Sequence, residues 1–465
     1  MFTRNIIKGK VHLFRNVRSY STKPSGSSFT LKYIAGGFLL GSGATLIYSY
    51  TSNLKSSNST NKSTISVSDL PKLVYGDKKQ LQLAIEELKT KINPLNITQH
   101  PDTILSHSDN GCNPIKPLDS QKPRYVVFAE STEEVSEILK VMHKYKIPTI
   151  PYGGGTSLEQ HFFTTRDNSV VLNTSRMNKV LKINEDDLDA SVQCGVTWNQ
   201  LNDTLTELPL TVSGGSCLKF GCDCGLNANM SGMIATNASG IGAQKHGSMV
   251  QNVISITAVL ADGTIVKTRQ RPRKSSAGYN LTGLFSGSEG TLGVVTECIV
   301  KLTVVDPIET VCVVQFDDLY KASGAVSKFA QKGLVLDAIE MLDPNMMKAV
   351  NFSSQVNQTF DIKPTLFMKL SGINNVVVDE MVKEVKKISE EQGSSSFKFS
   401  KDKEEELELF AARKNALWIM LDYGYELFGE DVKLWITDAA VPLSKAAEYL
   451  KRSNEIVEKA GLTSV

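Results

Sequence analysis

Hydrophobic and polar positions change period several times along the middle of the chain. Arg124 to Ala129 (RYVVFA) is a short β-branched and aromatic run, the pattern of a strand. Val135, Ile138, Leu139 and Met142 then recur at i, i+3, i+4 and i+7, which predicts a helix with one buried face. Ser131-Thr132-Glu133-Glu134 just ahead of them is a capping box, in which the first and last side chains take orphan N–H groups of the opening turn. Lys146 to Ile150 returns as a strand. This β-α-β unit delivers the chain to Pro151-Tyr152-Gly153-Gly154-Gly155-Thr156-Ser157. Val253 to Leu260 (VISITAVL) has the unbroken apolar character of a buried strand, and Asp262-Gly263 turns it into Thr264 to Val266. Thr310 to Phe316 and Pro364 to Leu370 read as strands, and Leu319 to Lys332 and Val376 to Gln392 as helices. That alternation suits an α+β domain with an antiparallel sheet.

Three glycine-rich tracts punctuate this pattern. Gly153 to Gly155 is either a flexible turn or an anion nest, because a backbone without Cβ atoms can curl its N–H groups around a phosphate. Thr156 and Ser157 add hydroxyls. The loop lacks the Lys-Ser/Thr ending of a P-loop and the G-x-G-x-x-G of a Rossmann turn. Ser231 to Ala243 (SGMIATNASGIGA) has almost no side-chain bulk. It reads either as tight helix packing or as backbone laid against a flat ligand. Ser286 to Glu297 (SGSEGTLGVVTE) is the third tract and runs into a strand.

Composition narrows the class. The chain is 41% apolar and 22% charged, which excludes a wholly disordered protein, a coiled coil and a multi-span membrane protein. Its 465 residues predict several domains of about 100–200 residues each. Basic and acidic residues, 51 and 49, nearly cancel, but residues 1–50 hold seven basic residues and no acid. The remainder is net −5, which argues against a protein held on nucleic acid through phosphates. Residues 1–20, acid-free and Arg-containing, read as a mitochondrial transit peptide rather than an ordinary tail. Tyr33 to Tyr50 (YIAGGFLLGSGATLIYSY) is uncharged with Tyr at both ends. It reads as a transmembrane anchor near the lower length limit of about 17 residues, or else as a core helix. Residues 51–70 form a polar linker and 71–116 a helical lead-in. Of the seven cysteines, Cys222-Asp223-Cys224 is the only close pair, and no second pair of zinc-like spacing accompanies it.

The order PYGGGTSLE, SGMIATNASGIGA, then RPRKSSAGYNLTGLF and GSEGTLGVVTE resembles the FAD-linked oxidases of the vanillyl-alcohol-oxidase (PCMH) type. Within them it is most similar to the branch that oxidises D-lactate in fungal mitochondria. The resemblance runs from about Pro117 to the last residue. It implies an α+β fold: a two-subdomain PCMH-type FAD-binding domain over 117–305 and a cap domain with an antiparallel sheet over 306–465. It implies FAD as cofactor, a D-2-hydroxy acid such as D-lactate as substrate, and cytochrome c as electron acceptor, with the protein at the inner membrane facing the intermembrane space. Carried over by position, Gly153, Gly154, Gly155, Thr156 and Ser157 match the pyrophosphate cradle. Ser231, Gly232, Asn237, Ala238, Ser239 and Gly240 match the tract beside the flavin, and Val294 and Val295 the strand that meets the nucleotide. Arg413, in Ala412 to Trp418 (ARKNALW), matches the arginine that holds the substrate carboxylate, where the alternative is a helix-surface arginine.

The sequence departs from the family in places. Cys224-Gly225-Leu226-Asn227-Ala228 replaces Pro-Gly-x-Gly-Ala, Ser231-Gly232 replaces Gly-Gly, His246 replaces a Tyr and Gln160 a Gly. The cap is expected to be incomplete. The family's His-x-His metal motif and its acidic partner do not occur among the six histidines, so no metal ligand or catalytic residue is assigned. A non-catalytic, membrane-tethered FAD-binding paralogue is therefore the alternative reading. His161, just after the glycine loop, can approach the flavin. Lys401 to Glu408 (KDKEEELE), the densest acidic stretch, is either a solvated helix face or a docking edge for cytochrome c.

Overall fold

A computed structural model describes residues 67–464, apart from 112, 165, 209–216 and 355–356. The expected transit peptide and anchor lie outside the described residues, and no helix among the described residues is long and apolar enough to cross a membrane. The chain divides into two units, residues 1–73 and 74–465. In the described part of the first, Val67–Asp69 forms a 3-10 turn.

The second unit begins with helix α1 (Lys78–Leu88). Asp77 opens it by accepting from the N–H groups of Lys79 and Gln80 at 2.8 and 2.9 Å. The first sheet contains β1 (Ile97–Thr98), β2 (Tyr125–Phe128), β3 (Thr149–Tyr152) and β4 (Val170–Asn173). Its order is β1-β2-β4-β3, with β2, β4 and β3 parallel. The two strands of the β-α-β unit are thus not neighbours; β4, with all four residues buried, lies between them. Helix α2 (Thr132–Tyr145) buries Val135, Ile138, Leu139 and Met142, the residues its periodicity selects. Its cap differs from the expected box. Ser131 accepts from Glu134 N–H at 3.2 Å, but the Glu134 carboxylate accepts from Glu130 N–H, one residue further back. Leu81, Ile85 and Leu88 of α1 join α2 and the first sheet in one core, which Val259 and Val294 complete from far along the chain.

The strands β5 (Val180–Asn184), β6 (Asp189–Gln193), β7 (Leu218–Lys219), β8 (Val253–Val259), β9 (Ile265–Lys267), β10 (Val294–Lys301) and β11 (Thr303–Val304) follow. Five form an antiparallel sheet, β5-β6-β10-β8-β9, and β7 pairs with β11. Between β7 and β8 lies the short helix α3 (Met230–Ala235), whose Met230, Met233 and Ile234 enter the core of this sheet.

The cap sheet, β12 (Ile308–Phe316), β13 (Ala338–Leu342), β14 (Thr365–Gly372) and β15 (Ser394–Phe399), is antiparallel in the order β13-β14-β12-β15. Side chains alternate between its faces, as strand geometry requires. Val311 and Val313 enter one core with α5 (Pro344–Phe352), α7 (Lys403–Lys414) and α8 (Ala416–Phe428). Cys312, Val314 and Phe316 enter the other with α4 (Leu319–Gln331) and α6 (Asn375–Glu391).

One partly buried cation ties the cap to the segment between α3 and β8. Lys245 Nζ lies 2.5 Å from Asp306 Oδ2, 2.8 Å from Asp337 Oδ1 and 2.8 Å from Ser371 Oγ. Beside it, Gln244 donates to Leu334 O at 3.2 Å and accepts from Leu336 N–H at 2.8 Å. Burial works to raise the Asp306 carboxyl, but the Lys245 ammonium and the Ser371 hydroxyl outweigh it and hold the group below the ordinary carboxylate range. Lys245→Met should therefore destabilise the protein by about 1–3 kcal/mol, the cost of stranding polar groups that are out of water. The measurement is a urea midpoint. A carboxyl with a depressed folded pKa contributes stability above its unfolded value of about 4, and loses it as pH falls through the folded value. The gap between wild type and variant should accordingly narrow below about pH 4; a gap unchanged into acid would contradict this account.

Candidate functional site

The three small-residue tracts meet. The loop Gly153 to Ser157 leaves the end of β3 and presses on residues 227–231. A Cβ at Gly154 would lie 2.4 Å from Asn229 Oδ1 and 2.7 Å from the Asn227 carbonyl, so only glycine permits this approach. Asn229 is itself fixed, donating to Gly195 O at 2.6 Å. The third tract docks on α3 from the other side, with Gly287 N–H on Ile234 O at 2.9 Å and Glu289 N–H on Ala235 O at 2.8 Å.

Within the glycine loop, the backbone N–H groups of Gly153, Gly154, Gly155, Thr156 and Ser157 donate to no acceptor among the described residues. Two of the loop carbonyls, by contrast, are held: Asn110 donates to Gly155 O at 3.0 Å and to Ser157 O at 2.8 Å. A run of free backbone donors in a small-residue loop is the arrangement an anion requires. His161 links this loop to the third tract. Its Nδ1 lies 2.6 Å from Ser157 Oγ and its Nε2 3.2 Å from Glu289 Oε2.

In the second tract, Asn237 Oδ1 accepts from Val250 N–H at 2.9 Å and Ser248 Oγ at 3.1 Å, and Ala238 O accepts from Met249 N–H at 2.8 Å. The N–H groups of Ser239, Gly240, Ile241 and Gly242 are again undonated among the described residues. Gly240 lies against the Asp223 carbonyl, and a Cβ there would come within 1.5 Å of it. A Cβ at Gly232, on α3, would meet nothing within 4 Å. His246 is half-buried, and burial, aided by Lys219 and Lys245, depresses its pKa and favours the neutral ring.

Val294 and Val295 pair with Val259 and Ala258 of β8, whereas β6 joins β10 only from Glu297. Beside the two valines one edge of β10 thus has no strand partner among the described residues. A cavity of about 360 Å³ adjoins, lined by Tyr75, His143, Pro151, Gly290 and Val294 among others. Arg413 lies on α7 of the cap. Its Nε donates to Glu340 Oε2 at 2.8 Å, and its Nη groups make no hydrogen bond among the described residues. The acidic stretch is largely paired within the cap, Glu405 with Lys398 at 2.9 Å and Glu406 with Lys403 at 2.6 Å. No group of three or more metal-binding side chains occurs among the described residues.

Comparison with known proteins agrees with this geometry. Residues 123–269 match the FAD binding domain family, and 307–465 the C-terminal domain of FAD linked oxidases. The mitochondrial D-lactate dehydrogenase [cytochrome] of Kluyveromyces lactis is 42% identical over 92% of this chain and 74% of that protein. The chain belongs to the D-lactate dehydrogenase (cytochrome) family of FAD-linked oxidases. A second member, D-lactate dehydrogenase [cytochrome] 1 of Saccharomyces cerevisiae, is 42% identical over 87% of this chain and 68% of that protein. The fold is that of p-cresol methylhydroxylase, with a TM-score of 0.68 at 18% identity over 84% of this chain and 80% of that one. FAD is the family's cofactor, and the donor run at 153–157 fits its diphosphate.

Asn110, Asn229 and Glu289 organise the site; no motif marks the two asparagines, and the third tract holds Glu289 without showing its partner. Each acts across tens of residues of sequence, which only the folded chain brings together. The contrast between Gly240 and Gly232 is testable by unfolding. Gly240→Ala should destabilise by about 1–3 kcal/mol through overpacking on backbone. Gly232→Ala, in a helix with open space above it, should be neutral or gain up to about 1 kcal/mol.

Proposed function

We propose that this protein binds FAD across the three tracts and oxidises D-lactate, or a close D-2-hydroxy acid, to pyruvate, with a cytochrome as electron acceptor. The observation that carries the reading is the run of five undonated N–H groups where the small-residue tracts converge. Gly153, Gly154, Gly155, Thr156 and Ser157 would hold the diphosphate, with Asn110 holding the Gly155 and Ser157 carbonyls. Ser231, Gly232, Asn237, Ala238, Ser239 and Gly240 would face the flavin, and the free edge at Val294 and Val295 would meet the nucleotide. When bound, FAD supplies a two-electron oxidant. Arg413 would hold the substrate carboxylate through its Nη groups, with Glu340 fixing the guanidinium at Nε. The similarity to mitochondrial enzymes supports a mitochondrial location. The finer reading is a cleaved segment at 1–20, an inner-membrane anchor at 33–50 and a domain facing the intermembrane space. Carbonate extraction and protease protection test it; a carbonate-soluble, protease-protected protein would contradict it.

Protein lacking residues 1–60 should be yellow, and anaerobic D-lactate should bleach it. Colourless protein that takes up no added FAD, or bound FAD that stays oxidised, would overturn the proposal. Gly154→Ala should weaken FAD binding by about tenfold or more, equivalent to about 1.4 kcal/mol, as read by flavin fluorescence. The chain beyond residue 50 is net −5, so cytochrome c, a basic partner, would be steered to it. The second-order rate should fall between about 0.01 and 0.1 M salt, as the Debye length shrinks from about 30 to 10 Å.

A further inference from the structure

We propose that Ser157, His161 and Glu289 form a relay that takes up one proton as the diphosphate of FAD binds, with His161 a positioning residue for the Ser157 hydroxyl. The inference rests on the reading of Gly153 to Ser157 as the diphosphate cradle. It adds which protonation form of the loop is competent to hold that anion.

The hydrogen bonds of the Ser157 hydroxyl can be accounted for one by one. A serine oxygen has one hydrogen to donate and two lone pairs. One lone pair accepts from the Glu159 N–H at 3.2 Å. The other contact is with His161 Nδ1 at 2.6 Å, and its direction depends on where the ring carries its protons. His161 Nε2 lies 3.2 Å from Glu289 Oε2. A bare ring nitrogen there would set lone pair against lone pair, so Nε2 keeps a hydrogen. In the neutral ring Nδ1 is therefore bare and accepts the Ser157 hydrogen. Ser157 then offers a phosphate oxygen only a lone pair, which repels it. In the imidazolium, Nδ1–H donates to Ser157 Oγ instead. Both serine lone pairs are then taken, and the O–H is free to turn to the diphosphate. One proton passes from solvent to Nδ1 of the partly exposed ring, and no covalent bond to FAD forms. The charged side chains against the ring are Glu289 of the third tract and, at 3.8 Å, Glu159 of its own loop. Their carboxylates balance the imidazolium when it forms.

The backbone holds these residues in place at a cost. Gln160 and Glu289 have φ of 62° and 51°, in the left-handed region that residues other than glycine seldom enter. At Gln160 this turns the chain so that the imidazole reaches back to Ser157. Glu289 is fixed by its own N–H on Ala235 O at 2.8 Å. Strained residues in two separate tracts thus converge on one imidazole, the kind of placement that persists where function depends on it.

The test uses the whole chain freed of flavin. FAD affinity is read by flavin fluorescence between about pH 6 and 8, a range that spans the ordinary imidazole value of about 6.5. FAD has no group of its own that titrates there. The competent form is the protonated one, so affinity is full below the ring's titration in the free loop and is lost as pH rises through it. It should fall by about tenfold across the range, since one proton permits at most about tenfold per pH unit. Calorimetry at neutral pH, in buffers of different ionisation enthalpy, should register proton uptake. Glu289→Gln should move the fall to lower pH, because the imidazolium loses a counter-charge. His161→Gln should bind more weakly in acid and flatten the profile. Ser157→Ala, which keeps the imidazole and removes the hydroxyl, should do the same.

A slope that persists in His161→Gln belongs to another group, such as the half-buried His246, and overturns the relay. A slope that persists in Ser157→Ala makes the imidazolium a direct charge on the anion and overturns it equally. FAD bound with one affinity at every pH overturns the relay and leaves the flavin reading standing. Protein that takes up no FAD at any pH overturns the flavin reading, and the relay with it.

Discussion

Everything in this molecule depends on how closely backbone can approach backbone at the centre of residues 74–465. The loop at 153–157 meets the chain at 227–231, and the tract at 236–240 meets the chain at 223–224, at distances that leave no room for a single methyl group at Gly154 or Gly240. Close packing of this kind has a double effect. It leaves many N–H groups without an acceptor among the described residues, because short segments outside the sheets do not enter ladders. It also makes the site rigid, since each segment is pinned by groups outside it: Asn110, Asn229, and the N–H groups of Val250 and Met249.

Around that centre the cap is organised differently. Its sheet is covered on both faces, so its strands read as nearly continuous apolar runs, and alternate residues serve separate cores. It meets the preceding domain through polar contacts at Lys245 and Gln244. An interface built on directed hydrogen bonds fixes orientation more strictly than one built on apolar area alone. Arg413 therefore has a defined placement relative to the glycine tracts.

The sequence displays some of this openly. Helix α2, strands β8, β12 and β14, and the turn at Asp262-Gly263 follow local periodicity and turn chemistry, and the structure contains each within a few residues of its expected bounds. The glycine tracts were legible as places where backbone can approach closely, because absence of bulk is itself a pattern. Strand order was not legible: nothing in residues 149–152 says that β4 will separate them from β2. Nor were Asn110, Glu289 and the pairing of Lys245 with Asp306 and Asp337, since each depends on contacts between segments far apart in sequence. For the acidic run at 401–408 the sequence shows charge but not its partners, of which Lys398 and Lys403 take up Glu405 and Glu406.

The core of the first sheet carries one further implication. Helices α1 and α2 and strands β2 to β4 are complete by residue 173, but Val259 and Val294 close their core from β8 and β10. During synthesis the ribosome would have to add more than a hundred residues before that surface is covered. Long-range closure of this sort slows folding and leaves an aggregation-prone intermediate. The early segment is thus a natural client for a chaperone, held until the second sheet arrives to seal it.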